Sequence, residues 1–408
     1  MSHKGITEAE ISGLKDRVLY ELEHGILPFW SKYSIDHKNG GFYGRVDNKG
    51  AAVPGAQKAL ILNTRILWSF SAAFSELGKP DYLRMADRAW NYLREYFIDT
   101  EFGGAYWTLD PQGVPLDDTK KVYGHAFFIY ALSEYYRATS KITALDLAIE
   151  LFGVIEKHFY DPENGGYFEA ALRDWDTAID MRLSDIDQNE KKSMNAHLHI
   201  LEAYTNLLRV WNDSRLRQKL HLLLDNFYNH IINEKTGHFS LFFNETWDVK
   251  SQVISPGHDI EGSWLICEAA ELLDDKELKE KLLKMIIFQA NAVYDKGLNP
   301  DGSIIYEIHP DGRKNMERHW WVQAEAMVGF LNAFWLTGDK KFYSAMVNSW
   351  DYIQENLIDR DNGEWFYKRT GDGHVDFSEF KISEWKGPYH NTRACLEIAR
   401  RLNKKDNT

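Results

Sequence analysis

Apolar residues recur at helical spacing along almost the whole chain, and this pattern predicts twelve helices. Ten of them form five pairs, at about residues 57–78 and 81–97, 120–139 and 142–159, 191–211 and 214–232, 259–272 and 276–295, and 318–336 and 339–356. The remaining two helices, near 7–29 and 386–402, are predicted to pair with each other. The pattern is typical of an all-α protein.

A glycine-aromatic loop recurs between the helix pairs. Its six copies read NGGFYG (39–44), FGGAYW (102–107), NGGYFE (164–169), TGHFSLFF (236–243), DGSIIYE (301–307) and NGEWFYK (362–368). They lie 61 to 71 residues apart, and such a nearly constant period indicates a repeat architecture. Each copy predicts a tight turn followed by a short aromatic strand, because glycine pairs suit left-handed turn positions.

The connections inside each helix pair are short turns, whereas the links between pairs run about 20 to 30 residues. We therefore predict an (α/α)6 barrel of six helix hairpins, with short β-hairpin loops on one rim, in a single catalytic domain over residues 1–408. The helices that follow the long loops carry polar residues inside apolar patterns, so we assign them to the inner ring. Their N-terminal turns should converge on one cavity, where helix dipoles favour negative charge.

The net charge, the cysteines and the aromatic content of the chain each bear on its function and location. The formal net charge of −13 argues against nucleic-acid and membrane partners, since both are anionic. Cys267 and Cys395 lie in apolar helical patterns without C-x-x-C spacing, and residues 1–5 open the chain without an apolar signal core, so we expect a cytoplasmic protein. The chain also holds 14 Trp, 21 Tyr and 22 Phe, and these flat apolar faces suit sugar rings.

Histidines mark three of the predicted inner helices. On a helix, Asn195, His199 and Glu202 share one face while His197 points away from it, so His199 is favoured over His197 as a site residue. The H-x-H spacing cannot chelate a metal as an i, i+4 pair does, and we expect no metal site.

The other two histidines follow prolines that start helices. His258 lies three residues before Glu261, a spacing at which the carboxylate could hold and polarise the imidazole. His390 comes just after Pro388. Three histidines near the N-termini of different inner helices indicate a functional site more strongly than one would.

Arg65 lies within the apolar stripe of the first inner helix. A buried arginine needs an anion or several hydrogen-bond acceptors. Arg65 should therefore either pair with carboxylates such as Glu261 or bind an oxygen of a ligand. Of the consecutive Trp320 and Trp321, a helix can bury only one on a given face, which leaves the other, together with Trp385, as a candidate sugar platform.

With these motifs, the chain closely resembles the N-acylglucosamine 2-epimerase superfamily and, within it, the cellobiose 2-epimerases, over almost its whole length. The matching segments are Asn63–Arg65, Val122–His125, the 164–169 loop with Arg173–Trp175, Asn195–His199, Pro256–Glu261, Trp320–Glu325 and Trp385–His390. The resemblance implies that His258 and His390 are the acid/base pair at C2 of the sugar. The remaining site residues that it implies are His199 and Arg65 as holders of sugar oxygens, Trp321 and Trp385 as stacking residues, and Tyr123, Asp187, Asn195 and Glu261 as polar contacts.

The expected reaction is ring opening followed by removal and return of the C2 proton through an enediolate, with no cofactor. Two imidazoles with pKa values near neutrality could perform it. The expected substrate is a β-1,4-linked disaccharide such as cellobiose, with lactose as a further candidate, and the protein is expected to be a monomer or weak homodimer. The alternatives are an N-acylglucosamine 2-epimerase, a mannose or glucose aldose-ketose isomerase, a glycoside hydrolase using Asp187 and Glu261, and a non-catalytic glycan-binding protein.

Overall fold

The computed structural model describes residues 6–403, so residues 1–5 and 404–408 of the predicted domain lie outside the described part of the chain. The helices are α1 (Glu8–Glu21), α2 (Leu27–Tyr33), α3 (Leu60–Leu77), α4 (Pro80–Tyr92), α5 (Val122–Thr139), α6 (Ile142–His158), α7 (Met194–Leu208), α8 (Ser214–Asn226), α9 (Pro256–Leu273), α10 (Lys276–Lys296), α11 (Trp320–Thr337), α12 (Lys340–Asn356) and α13 (Tyr389–Asn403). A π-helical segment, Leu22–Ile26, joins α1 to α2, and similar segments follow α4 (Leu93–Phe97) and α8 (Phe227–Ile231).

Six helices form a closed inner ring in the order α3, α5, α7, α9, α11 and α13. Each contacts the next, and α13 contacts α3. The inner helices are buried on nearly all sides, as helices enclosed by others are, and residues 60–73 of α3 are all buried. The outer helices α1, α4, α6, α8, α10 and α12 cover this ring, and α1 packs against α13. The predicted all-α (α/α)6 barrel is therefore confirmed.

Short turns join each inner helix to the following outer helix. In four of the five internal pairs, a single residue in left-handed conformation ends the inner helix: Gly78, Ser140, Asp274 or Gly338. The chain can then reverse direction within two residues, which places all the inner helices in the same orientation. Their N-termini consequently lie together at the opposite rim.

The six glycine-aromatic loops occupy that opposite rim. Each forms an equivalent antiparallel bridge across its turn, as in Ile35 with Phe42 and Ile358 with Trp365, which confirms the predicted repeat. The short strands are β1 (Lys58–Ala59), β2 (Thr108–Leu109), β3 (Pro115–Asp117), β4 (Lys120–Lys121), β5 (Ala170–Ala171), β6 (Lys192–Ser193), β7 (Phe242–Phe243), β8 (Glu307–Ile308), β9 (Lys314–Asn315), β10 (Arg318–His319) and β11 (Lys368–Arg369).

These strands connect neighbouring repeats. They pair as β1-β2-β3, β4-β5, β6-β7, β8-β9 and β10-β11. The strands β1, β4, β6 and β10 each end where an inner helix begins, and each pairs with a strand that follows a later glycine-aromatic loop. The pairing therefore fixes where the first turns of α3, α5, α7 and α11 point.

Within residues 6–403 no helix combines the length and the apolar character needed to cross a membrane. Cys267 and Cys395 are both buried free thiols, on α9 and α13.

Candidate active site

A cavity opens at the rim where the inner helices begin, and every inner helix contributes to it. The ten site residues predicted from the sequence all line it: Arg65, Tyr123, Asp187, Asn195, His199, His258, Glu261, Trp321, Trp385 and His390. These residues are separated by up to 325 positions along the chain, and the ring brings them together because each follows a long loop at the same rim.

The three histidines have different hydrogen-bond partners at Nδ1. For His390 the partner is a carboxylate oxygen of Glu325 at 2.7 Å, and for His199 it is a carboxylate oxygen of Glu202 at 2.9 Å. For His258 it is the Ser255 hydroxyl at 2.8 Å.

The predicted pairing of His258 with Glu261 is therefore wrong. Glu261 instead accepts a hydrogen bond from Arg393 at 2.7 Å, because α13 brings that guanidinium into the centre of the ring. The i, i+3 spacing on α9 does bring the two residues to the same cavity.

Arg393 joins the carboxylates into one buried cluster. Its Nη2 donates to Glu261 at 2.7 Å and to Glu325 at 2.6 Å, and its Nη1 donates to Glu202. All four side chains are almost completely buried. A single cation therefore serves three carboxylates, two of which also hold catalytic-site histidines.

The three carboxyl groups of the cluster differ in the direction of their pKa shifts. Burial alone would raise the pKa of Glu325 and of Glu202, but the adjacent Arg393 charge lowers both below the usual range. Burial, and then the charge of Glu325, raise the pKa of Glu261 well above its ordinary value. Burial thus favours the protonated form of Glu261, whereas Arg393 favours the ionised forms of Glu202 and Glu325.

Ionised partners determine the tautomers of two histidines. A carboxylate only accepts hydrogen bonds, so Nδ1 of His199 and of His390 carries the hydrogen and Nε2 has a free lone pair. Burial lowers the pKa of His258 and of His390 to about 3, so the near-neutral values expected from the sequence are not found in this structure. Both imidazoles are neutral there and can act as bases.

Arg65 has no carboxylate partner among the described residues. Its Nη1 donates to the Trp385 carbonyl at 2.6 Å and its Nη2 to the Tyr123 hydroxyl at 3.1 Å, while its buried Nε lacks a partner in that part of the chain. Of the two alternatives left open by the sequence, the carboxylate partner is thus not present. Arg65 remains a cation at the cavity wall, stacked over the ring of Phe127 at 4.7 Å.

Two tryptophans border the histidines. The Trp321 ring lies 4.7 Å from His258 and 5.7 Å from His390, so it contacts both. The preceding Trp320 is only 2% exposed, which agrees with the expectation that one of the pair is buried. Gly257 permits this arrangement, because a Cβ there would meet the Trp321 ring at 2.8 Å. Trp385 packs at 6.0 Å from Tyr123 on the other wall.

Comparisons with known proteins agree with this geometry. The profile of the N-acylglucosamine 2-epimerase (GlcNAc 2-epimerase) family matches residues 41–394. The chain belongs to that family. It is 45% identical over 386 residues to the cellobiose 2-epimerase of Bacteroides fragilis, with 94% of this chain and 98% of that protein covered. It is 37% identical to the cellobiose 2-epimerase of Dictyoglomus turgidum, covering 96% and 100%. The solved structure of cellobiose 2-epimerase from Bacillus thermoamylovorans superposes with a TM-score of 0.92 at 41% identity, covering 96% and 100%.

Two other histidines of this epimerase-family barrel serve the loops. Nε2 of His197 accepts the backbone N–H of Tyr167 at 2.9 Å, and Nε2 of His125 accepts that of Ala105 at 3.0 Å. Each histidine thereby fixes a glycine-aromatic loop to the start of an inner helix. His197 lies outside the cavity lining, in agreement with the preference for His199.

The Arg173–Trp175 segment also holds a loop. Arg173 donates to Asp99 at 2.9 Å, and the Trp175 indole N–H donates to the Phe102 carbonyl at 2.8 Å. Neither side chain lines the cavity. This segment, which carries part of the family resemblance, therefore stabilises the loops of the rim and does not line the cavity.

Sequence reasoning missed several wall residues: Leu183, Ser184, Ile186, Tyr306, His319 and Tyr367. Tyr306 and Tyr367 are aromatic members of two glycine-aromatic loops, and that membership was the available signal. Ser184 donates to Asp187 at 2.7 Å and thereby orients this predicted polar contact in the 172–191 loop.

Glu261, Glu325 and His390 bring ligand atoms within 4.8 Å of one another, a spacing that a metal ion could use. The same carboxylate oxygens already accept hydrogen bonds from Arg393. A divalent ion would face this fixed positive charge at short range, so the donor set suits the guanidinium better than a metal.

Proposed function

We propose that this protein is a cofactor-independent epimerase that interconverts glucose and mannose at the reducing end of β-1,4-linked disaccharides such as cellobiose. The observation that carries the proposal is the convergence of His258, His390 and His199 on one cavity, each with a different partner. A hydrolase would need two carboxyl groups flanking the scissile bond, but Glu261 is tied to Arg393 within the buried cluster, and that reaction would leave the three histidines without a role.

The two imidazoles beside Trp321 carry the proton transfer. A neutral imidazole removes the proton at C2 of the open-chain aldose, and the resulting enediolate is planar, so a proton returned to the other face gives the other epimer. His390 suits the base role because its Nδ1 hydrogen is bonded to Glu325, which leaves the lone pair on Nε2 available. The carboxylate also stabilises the imidazolium that forms. His258 takes the complementary role on the opposite face.

The enediolate oxygens need compensating charge. Arg65 supplies a fixed cation at the wall and retains a donor without a protein partner among residues 6–403. His199 accepts from a sugar hydroxyl through its free Nε2, since Glu202 occupies Nδ1. Arg65 thereby favours the enediolate over the aldose, as an oxyanion site favours a tetrahedral intermediate, while His199 orients the hydroxyl.

The substrate class follows from the aromatic walls and from the relatives. Trp321 and Trp385 offer indole faces for the reducing-end sugar, and Tyr123, Asp187 and Asn195 offer polar contacts. Relatives at 45% and 37% identity are named cellobiose 2-epimerases. The protein acts as one catalytic domain, in the cytoplasm, as a monomer or weak homodimer.

The experiment is incubation with cellobiose in deuterated water, followed by NMR of the products. The expected product is glucosyl-mannose carrying deuterium at C2, with slower labelling of the recovered cellobiose. A ketose labelled at C1 would instead indicate an aldose-ketose isomerase. Absence of any C2 exchange would refute the proposal.

A further inference from the structure

The carboxylate cluster holds one proton that the C2 chemistry does not use. Three carboxyl groups surround a single guanidinium, so full ionisation would leave two uncompensated negative charges in the interior. One proton on Glu261 removes one of these charges, and Glu261 is the member suited to hold it because Glu202 and Glu325 are tied to both Arg393 and a histidine.

The protonated group faces the substrate space. Glu261 lines the cavity, and its Oε1 accepts from Arg393 at 2.7 Å. Among residues 6–403, no hydrogen bond occupies Oε2. Oε1 also lies 3.9 Å from Nδ1 of His390, so the carboxyl group and that imidazole border the same part of the cavity.

We propose that Glu261 is the general acid that opens the sugar ring, delivering its Oε2 proton to the ring oxygen O5 of the reducing-end sugar. This role rests on the proposed epimerase function and adds a step that the C2 acid/base pair leaves without a proton donor. A group that remains neutral in the resting site is suited to donate, just as the neutral imidazoles are suited to accept.

The step balances within the site. Nε2 of His390 takes the proton of the anomeric hydroxyl, the O1 electron pair forms the C1–O1 double bond, and the C1–O5 bond breaks. The pair released on O5 takes the Oε2 proton, so Glu261 becomes a carboxylate and His390 an imidazolium. After inversion at C2 the abstracted proton lies on His258, so ring closure returns that proton to O1 and the O5 proton to Glu261.

Ring opening would also prepare the second stage. After it, His390 carries a proton and His258 is still neutral, so the pair at C2 consists of one acid and one base. The resting site, in which both imidazoles are neutral, lacks this asymmetry. This assignment serves the epimer whose C2 hydrogen faces His258; for the other epimer the anomeric proton passes to His258, which leaves His390 as the base at C2.

Glu261→Gln is the discriminating variant, because glutamine keeps the size and a hydrogen-bond donor but cannot transfer a proton. On cellobiose we expect its epimerisation kcat to fall at least about 100-fold, the usual contribution of a general acid. Enzyme-accelerated interconversion of the α and β anomers, followed by NMR exchange spectroscopy, should disappear with it.

A substrate that is never cyclic supplies the control. The cellobiose analogue 5,6-dideoxygenated at its reducing end cannot close a ring, so the variant and the wild type should exchange its C2 proton at rates within about threefold. His258→Asn should show the opposite pattern, with anomer interconversion retained and net epimerisation lost.

Three outcomes would overturn the role of Glu261: epimerisation of cellobiose by Glu261→Gln near the wild-type rate, retained anomer interconversion, or an equal loss of C2 exchange on the acyclic analogue. The last of these would mean that the substitution damages the whole site. Wild type that fails to exchange C2 of cellobiose would refute the proposed function itself, so the two failures are distinguishable.

Discussion

Replacing Glu325 with glutamine tests the charge behind His390 without removing the side chain. Glutamine can still accept the Nδ1 hydrogen bond that Glu325 now accepts at 2.7 Å, so the ring orientation should persist. What disappears is the negative charge that stabilises the imidazolium during proton transfer. The perturbation therefore separates electrostatics from positioning.

The expected loss follows from the geometry. An imidazolium whose charge lies about 4 Å from the carboxylate gains about 4 kcal/mol at an effective dielectric constant of about 20. Arg393 donates to the same oxygen at 2.6 Å and screens part of this gain. At about 1.4 kcal/mol per factor of ten, we expect kcat to fall roughly 100- to 1,000-fold.

The assay is the steady-state rate of cellobiose epimerisation, with kcat and KM measured separately and the melting temperature as a folding control. Glu202→Gln is the matched variant, because Glu202 also accepts hydrogen bonds from Arg393 and from a histidine, His199, although through two different oxygens. His199 changes protonation in no step, so its variant should lose at least tenfold less kcat. Equal losses, or a Glu325→Gln loss below about tenfold, would refute the reasoning.

His258→Asn and His390→Asn should each abolish net epimerisation, and NMR in deuterated water should show them differing in which epimer still exchanges at C2; substantial epimerisation by either contradicts the two-base scheme. His197→Asn should keep most activity but lose about 1–3 kcal/mol of unfolding free energy in denaturant titration, since a buried N–H loses its acceptor. Trp385→Ala should lower kcat/KM for cellobiose, with a loss of about 1–3 kcal/mol of transition-state stabilisation. A kinetically silent substitution would assign Trp385 to packing. Exhaustive chelation should leave activity intact. Activity that is lost on chelation and restored by a divalent ion would contradict the cofactor-free mechanism. Burial raises the pKa of Glu21 from 4.5 to about 7, so the fold loses stability as the pH rises from the first value through the second; Glu21→Gln should raise the melting temperature at about pH 8 and hardly at about pH 4.

Local sequence patterns were sufficient for the helices and for the direction of the first turns. Helical spacing separated His199 from His197, and the structure places the first in the cavity and the second against a loop. The repeat period predicted the ring because each unit must bury its apolar face against the next. These features depend on residues close together in the chain.

Which side chains of the site bond to one another depends on contacts between residues that are far apart in the sequence. Arg65 and Arg393 both lie in the second turn of an inner helix, yet only Arg393 reaches the carboxylates. The spacing of His258 and Glu261 suggested a pair, but a guanidinium 132 positions away takes the carboxyl group. Such competition is decided by how the ring closes, so the sequence could name the members of the site but not their partners.

The three histidines differ in what their partners allow. Ionised carboxylates hold His199 and His390 in one tautomer, with Nδ1 as the donor. The Ser255 hydroxyl beside His258 can either donate or accept, so that imidazole can present Nε2 with or without a hydrogen. A reversible epimerase needs each partner to act as the base in one direction and as the acid in the other. The hydroxyl contact lets His258 present either form at Nε2, while the carboxylate stabilises the imidazolium form of His390.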